Sequence, residues 1–186
     1  MPESSASNPN GLILDAAAIT EFVMRTGFKK THMTLPKTSL LAVLAGIYVA
    51  FGCQTMIAAL MEMTFTGPAK LLGGSFFSTA LMIIVLCGAE LFTGNVLIFI
   101  AVLSKRVYMW EYIYDLLLVY FSNMAGAVSF GILFWGSGVN GFEGAYSAAG
   151  IVACEVAEAK STLPPYQAFL RGIGANMCVC FSLLMA

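Results

Sequence analysis

The stretch Gly88-Ala89-Glu90-Leu91-Phe92-Thr93-Gly94-Asn95 sits inside the longest apolar passage of the chain, residues 69–103. As one helix that passage would be about 52 Å long at about 1.5 Å per residue, against about 30 Å for a hydrocarbon core. Tilt does not absorb such an excess, so the passage is expected to break or re-enter near 88–95. Two glycines, a carboxylate, a hydroxyl and an amide then stand at membrane depth. Non-helical backbone survives there only when buried in protein or lining a water-filled path. A broken helix leaves N–H groups free at its new end, and these attract anions and oxyacids. Intramembrane ionisable residues are functional-site candidates. Glu90 has two readings of equal standing: a pathway residue, or a carboxylate that only satisfies freed backbone donors. Thr93 is the stronger pathway candidate, because a neutral hydroxyl donates to a passing anion without trapping it. Gly88, Glu90, Gly94 and Asn95 are read as the frame of the break.

Upstream, Phe77, Leu81, Ile84 and Gly88 fall on one helix face that leads to the break. Such a stripe is usually plain helix packing. If the break lines a path, the same face becomes an apolar constriction.

Composition agrees with a lipid setting. Hydrophobic residues make up 59% and charged residues 10%, and mean hydropathy is +0.86. A soluble domain has about 25% charged and about 45–50% apolar residues. Predominantly apolar windows near 20 residues read as spans at about 38–61, 112–135 and 166–186, besides the broken 69–103. Net charge is −1, which gives nucleic acid no basic face to meet. Four of the five cysteines lie in apolar runs and read as small buried hydrophobes; Cys178 and Cys180 point to different helix faces, so no metal site or cofactor is expected.

Residues 1–36 form a separate unit ahead of the transmembrane domain, 37–186. Residues 1–10 are polar and lack the pattern of a cleavable signal. Leu12, Ala16, Ile19 and Val23 then recur at helical spacing, with Gly27 as the expected C-terminal cap, which predicts an amphipathic helix at the interface. An anchor and a gate are equally good readings of it. Arg25, Lys29, Lys30, Lys37, Lys105 and Arg106 fall on one side of the spans, and Lys70 and Lys160 on the other. That asymmetry puts the N-terminus in the cytoplasm and the connection 136–165 outside; the plasma (inner) membrane is the expected location.

These residues carry a resemblance. Lys70-Leu71-Leu72-Gly73-Gly74 through Cys87-Gly88-Ala89-Glu90-Leu91-Phe92-Thr93-Gly94-Asn95 closely resembles the signature of the formate/nitrite transporter family. Pro36-Lys37-Thr38 with Ala45-Gly46, and Tyr120-Phe121-Ser122-Asn123 with Gly126-Ala127, agree in order. So do Lys160 and the run Ala168-Phe169-Leu170-Arg171-Gly172-Ile173-Gly174-Ala175-Asn176 with Val179-Cys180. The resemblance covers nearly everything after about residue 10. It implies an all-α, aquaporin-like helical bundle assembled as a homopentamer, each protomer with its own pore and a broken second helix. It further implies Thr93 as the loop hydroxyl facing substrate, Leu91 and Phe92 beside it, and Phe77 and Leu81 as constrictions. Asn176 would brace the pore loop, and Lys160 would be the vestibule lysine that attracts anions.

Family members have six helices, with a central histidine on the fifth. This sequence stops within the fourth span, and its one histidine, His32, precedes the first. A fragment of a longer protein is therefore expected. The mechanism these readings imply is a funnel. Lys160 draws an anion in, and protonation lets it pass the apolar constriction as a weak acid, because a bare anion meets several kcal/mol of desolvation there. Formate is the first expected substrate and nitrite the second. Two rivals remain: an aquaporin-type neutral-solute channel, against which the chain has no Asn-Pro-Ala motif, and a non-conducting assembly subunit. Enzyme chemistry is not expected, since no catalytic Ser/His/Asp set, metal cluster or phosphate loop occurs.

Overall fold

The computed structural model describes residues 15–64, 67–142 and 145–185. The polar tail and Leu12 of the sequence reading lie outside them. Eight helical segments follow in order: α1 (Ala16–Thr31), α2 (Leu35–Leu60), α3 (Gly67–Cys87), α4 (Phe92–Asn95), α5 (Phe99–Leu103), α6 (Met109–Gly136), α7 (Ala148–Ser161) and α8 (Pro165–Met185). A 3-10 turn, Val96–Ile98, joins α4 to α5, so Phe92–Leu103 is one short, irregular half-helix. A two-residue hairpin, β1 (Gly141–Phe142) against β2 (Ala145–Tyr146), precedes α7.

Four helices, α2, α3, α6 and α8, are long and apolar enough to cross a membrane, by length and composition. Each contains or lies close to its expected span. At the centre, α2 packs most extensively on α6 and next on α3. The first of these contacts is backbone on backbone. A Cβ at Gly46 would collide with the Asn123 carbonyl, and one at Gly126 with the Val43 carbonyl. Small residues permit that approach between helices in lipid. On α3, Gly73 instead leaves room for the Leu60 and Met56 side chains, while Gly74 faces open space.

The long apolar passage breaks as expected, but the non-helical residues are 88–91. Thr93 sits in the first turn of the second half-helix, one step past the loop where the sequence reading placed it. The cause is a tight stop at Gly88, whose φ of 63° is left-handed. Gly88 donates its N–H to Val85 and Ala89 donates to Ile84, at 3.2 and 3.0 Å. Ala89 also packs against Ile84. This is a Schellman closure with its hydrophobic contact.

The N-terminal helix also corrects an expectation. Gly27 does not cap it; α1 continues to Thr31, and Gly27 is its one buried residue. A Cβ there would lie 3.3 Å from Ala101 Cβ and 3.4 Å from Ile98 Cα. Gly27 marks the point where α1 crosses the second half-helix. The connection 136–165 contains α7. That helix packs Ala149 and Val152 against Ile57, Leu60 and Ala69 of α2 and α3.

Candidate functional site

Starting from the break, each buried polar side chain among the described residues has a hydrogen-bond partner, with one exception. Glu90 is 3% exposed. Its carboxylate meets Lys30 Nζ of α1 at 2.9 Å. The same ammonium donates to Asn95 Oδ1 at 3.0 Å, and Asn95 Nδ2 donates to Asp115 Oδ2 on α6 at 3.1 Å. Asn95 is fully buried. Four elements are therefore tied through one ammonium, one amide and two carboxylates. The reading of Glu90 as a group that satisfies a freed backbone donor does not match this geometry: its side chain holds a lysine from a segment sixty positions earlier.

The backbone of the break is held elsewhere. Glu90 N–H donates to the Leu41 carbonyl at 3.2 Å. Asn123 Nδ2 donates to the Glu90 carbonyl and to the Ala42 carbonyl, and Asn123 Oδ1 accepts the Phe92 N–H. The first N–H of the second half-helix is thus occupied, where the sequence reading left it open for an anion.

The exception is Thr93. Its hydroxyl oxygen is buried and has no hydrogen-bond partner among the described residues. A buried orphan hydroxyl costs stability, about 1–3 kcal/mol by mutational scales, and such groups call for a reason. Behind it, Cys180 Sγ lies 3.8 Å from the Thr93 carbonyl, and Asn176 Nδ2 lies 3.6 Å from Cys180 Sγ. Asn176 therefore reaches the break through Cys180. Cys180 had been read only as a small hydrophobe.

A cavity of about 480 Å³ lies between α1, the end of α3, the break and α8. It brings together Leu81, Gly88, Glu90, Leu91 and Gly94 of the expected site, with Lys30 beside them. Phe77, Phe92, Thr93, Asn176 and Lys160 do not line it. Phe77 is exposed on α3, and Phe92 packs edge-on against Tyr120 of α6 at 5.4 Å. Ile84, on the expected stripe, is mainly core, buried against Ala45 and Ala89. Lys160 is helical and exposed in the last turn of α7, and among the described residues it makes no ion pair with Glu155, Glu158 or any other acid.

Lys30, Asp115 and Asn123 were not singled out as site residues. Asp115 had a visible signal, a carboxylate inside the expected span 112–135 and one turn deeper than Glu111 of the helix's first turn. Lys30 had none, because its partner is remote in sequence.

A second tie holds α1. Arg106 reaches Glu21 with two parallel hydrogen bonds of 2.8 Å. The Arg106 guanidinium holds the Glu21 carboxyl below its ordinary value, chiefly through these hydrogen bonds. A depressed carboxyl contributes stability that is complete above its unfolded pKa, about 4.3, and lost only as pH falls through the lower folded value. Amide-exchange protection of α1 is therefore expected to stay level from about pH 8 to about pH 5 and to fall under high salt. Loss of protection between neutral pH and about pH 6 would assign α1 docking to another titrating group.

Comparison with known proteins agrees with this architecture. The sequence profile described as formate/nitrite transporter matches residues 17–186. The formate channel FocA of Escherichia coli is 35% identical over 184 residues, covering 97% of this chain and 63% of FocA. The formate channel BtFdhC of Bacillus thuringiensis is 29% identical over 171 residues, covering 90% of this chain and 64% of that one. A solved structure titled FNT family ion channel superposes with a TM-score of 0.82 at 21% identity, over 91% of this chain and 68% of that chain. The chain thus spans less than two thirds of the length of these two curated relatives.

Proposed function

The chain belongs to the formate/nitrite transporter family, and from that premise we propose that it contributes the broken-helix side of a pore for small monovalent anions or their weak acids, formate first and nitrite second. The observation that carries this reading is the Thr93 hydroxyl, buried without a partner among the described residues in the first turn after a break in a membrane helix. A donor without an internal acceptor is supplied to whatever passes. Leu81 and Leu91 line the cavity with apolar surface, and the resemblance adds Phe77 and Phe92; such surface favours the neutral acid over the bare anion. The multi-pass protein is read as a homopentamer in the plasma membrane with α1 on the cytoplasmic face, by the Lys/Arg asymmetry and by resemblance. Its named relatives are channels, and a transport role without enzyme chemistry follows from the same reading.

Proteoliposomes of the full-length protein test this directly. Formate uptake above protein-free vesicles, competed by nitrite, is the expected result; uptake equal to protein-free vesicles sinks the proposal. Lys160 supplies a second expectation. An exposed lysine with no ion pair among the described residues is available to raise local anion concentration at the mouth. Lys160→Ala should keep expression and oligomer size while cutting formate uptake strongly, Lys160→Arg should be milder, and Glu155→Ala should do little. Wild-type uptake by Lys160→Ala across pH would remove Lys160 from the path.

A further inference from the structure

Asn123 lies on α6, in a helix that crosses α2 so closely that Gly46 and Gly126 admit no side chain. That closeness lets one amide reach three backbone groups at once. Nδ2 donates to the Ala42 carbonyl at 2.7 Å and to the Glu90 carbonyl at 2.9 Å, and Oδ1 accepts the Phe92 N–H at 2.9 Å. Glu90 and Phe92 flank Leu91, whose backbone is extended at φ −107° and ψ 130°. The amide thus grips the chain on both sides of the one residue that links the break to the second half-helix. Thr93 follows immediately. Any rotation at Leu91 would swing Phe92 and the Thr93 hydroxyl together, and these bonds oppose that rotation.

We propose that Asn123 is a positioning residue for transport: its amide fixes Leu91, Phe92 and Thr93 in the conducting arrangement, through hydrogen bonding rather than shape. This rests on the reading of the break as part of the transport path. The chemistry is demanding, because the position needs a donor with two hydrogens and an acceptor on one planar group. Asparagine supplies both. Aspartate has the same shape but, when ionised, accepts only, and it turns a charge toward two carbonyl oxygens. Protonated, it recovers one donor. Among the charged groups of the packed elements, Glu90 and Lys30 are already paired with each other, so the new carboxyl gains no free cation from that pair.

The test uses the full-length protein with Asn123→Asp and Asn123→Leu, reading formate uptake relative to wild type at each pH. Asn123→Leu is expected to be low at every pH, by about tenfold or more, as misplacement of a site by a fraction of an ångström to an ångström commonly costs. Asn123→Asp is expected to be low at neutral pH and to regain uptake relative to wild type as pH falls. A part that only filled space would give a flat ratio for the isosteric aspartate. Amide exchange of residues 88–98 is read alongside, with α3 as reference, and is expected to quicken in both variants near neutral pH. If wild type takes up no formate, the transport reading fails while exchange still reports the grip. If Asn123→Leu does not assemble, the aspartate ratio and its exchange carry the test. A pH-flat aspartate ratio, wild-type uptake by Asn123→Leu, or unchanged exchange at 88–98 overturns the proposal.

Discussion

Lys30→Met is expected to destabilise the full-length protein in detergent by about 3 kcal/mol, toward the lower end of the range for removing one member of a buried pair. The lower end applies because the Lys30 side chain keeps 27% of its exposure, against 4% for Glu90. Among the described residues the lysine is the only cation in a cluster that also holds Glu90, Asn95 and Asp115. Without it, two buried carboxylates remain around one amide. Asn95 Oδ1 also loses its donor. Glu90→Gln should be much milder, because it leaves one cation and one carboxylate joined through Asn95. Combining Lys30→Met with Glu90→Leu should recover part of the loss, since an apolar pair avoids the desolvation that either lone charge suffers. Denaturant or thermal midpoints of the three variants decide the matter. Equal shifts for Lys30→Met and Glu90→Gln would show that the charge count of the cluster does not govern its stability.

The break itself was readable because length is a hard constraint: an apolar passage too long for a bilayer, with paired glycines in its middle, has few ways to fold. Its boundary was less readable. Gly88 stops the helix by left-handed geometry, but where the next helix begins depends on Asn123, which lies on another element. Thr93 therefore moved from loop to helix without losing its buried position. Gly27 misled for the opposite reason: glycine marks both helix ends and helix crossings, and only the position of Ile98 and Ala101 distinguishes the two. The Glu90–Lys30 pair was illegible because sequence periodicity reports neighbours three or four apart, and this contact joins a surface helix to a membrane break. The expected face of Phe77, Leu81, Ile84 and Gly88 divided between exposed surface, core and cavity, because a helix stripe records which residues are apolar and leaves open what covers each one.

Thr93→Val is expected to separate stability from transport. The two side chains are close in size, so the substitution removes a hydroxyl from a buried site and leaves the packing nearly intact. In the folded protein that hydroxyl has no partner among the described residues, and removing an unsatisfied buried polar group relieves its desolvation cost of about 1–3 kcal/mol. The valine protein should therefore unfold at the same or a higher midpoint than wild type. Uptake should move the other way. If the hydroxyl donates to formate at the narrow part of the path, a valine leaves the substrate oxygen unpaired there, and uptake should fall by about tenfold, the equivalent of about 1.4 kcal/mol at the barrier. Thr93→Ser, which keeps the donor and opens a methyl-sized gap, should retain more uptake than valine while being the less stable of the two. A hydroxyl kept only for packing predicts the reverse order in uptake, with valine equal to wild type and serine impaired. Parallel melting curves and formate influx on these two variants discriminate between the accounts, because stability and transport are expected to rank them in opposite directions.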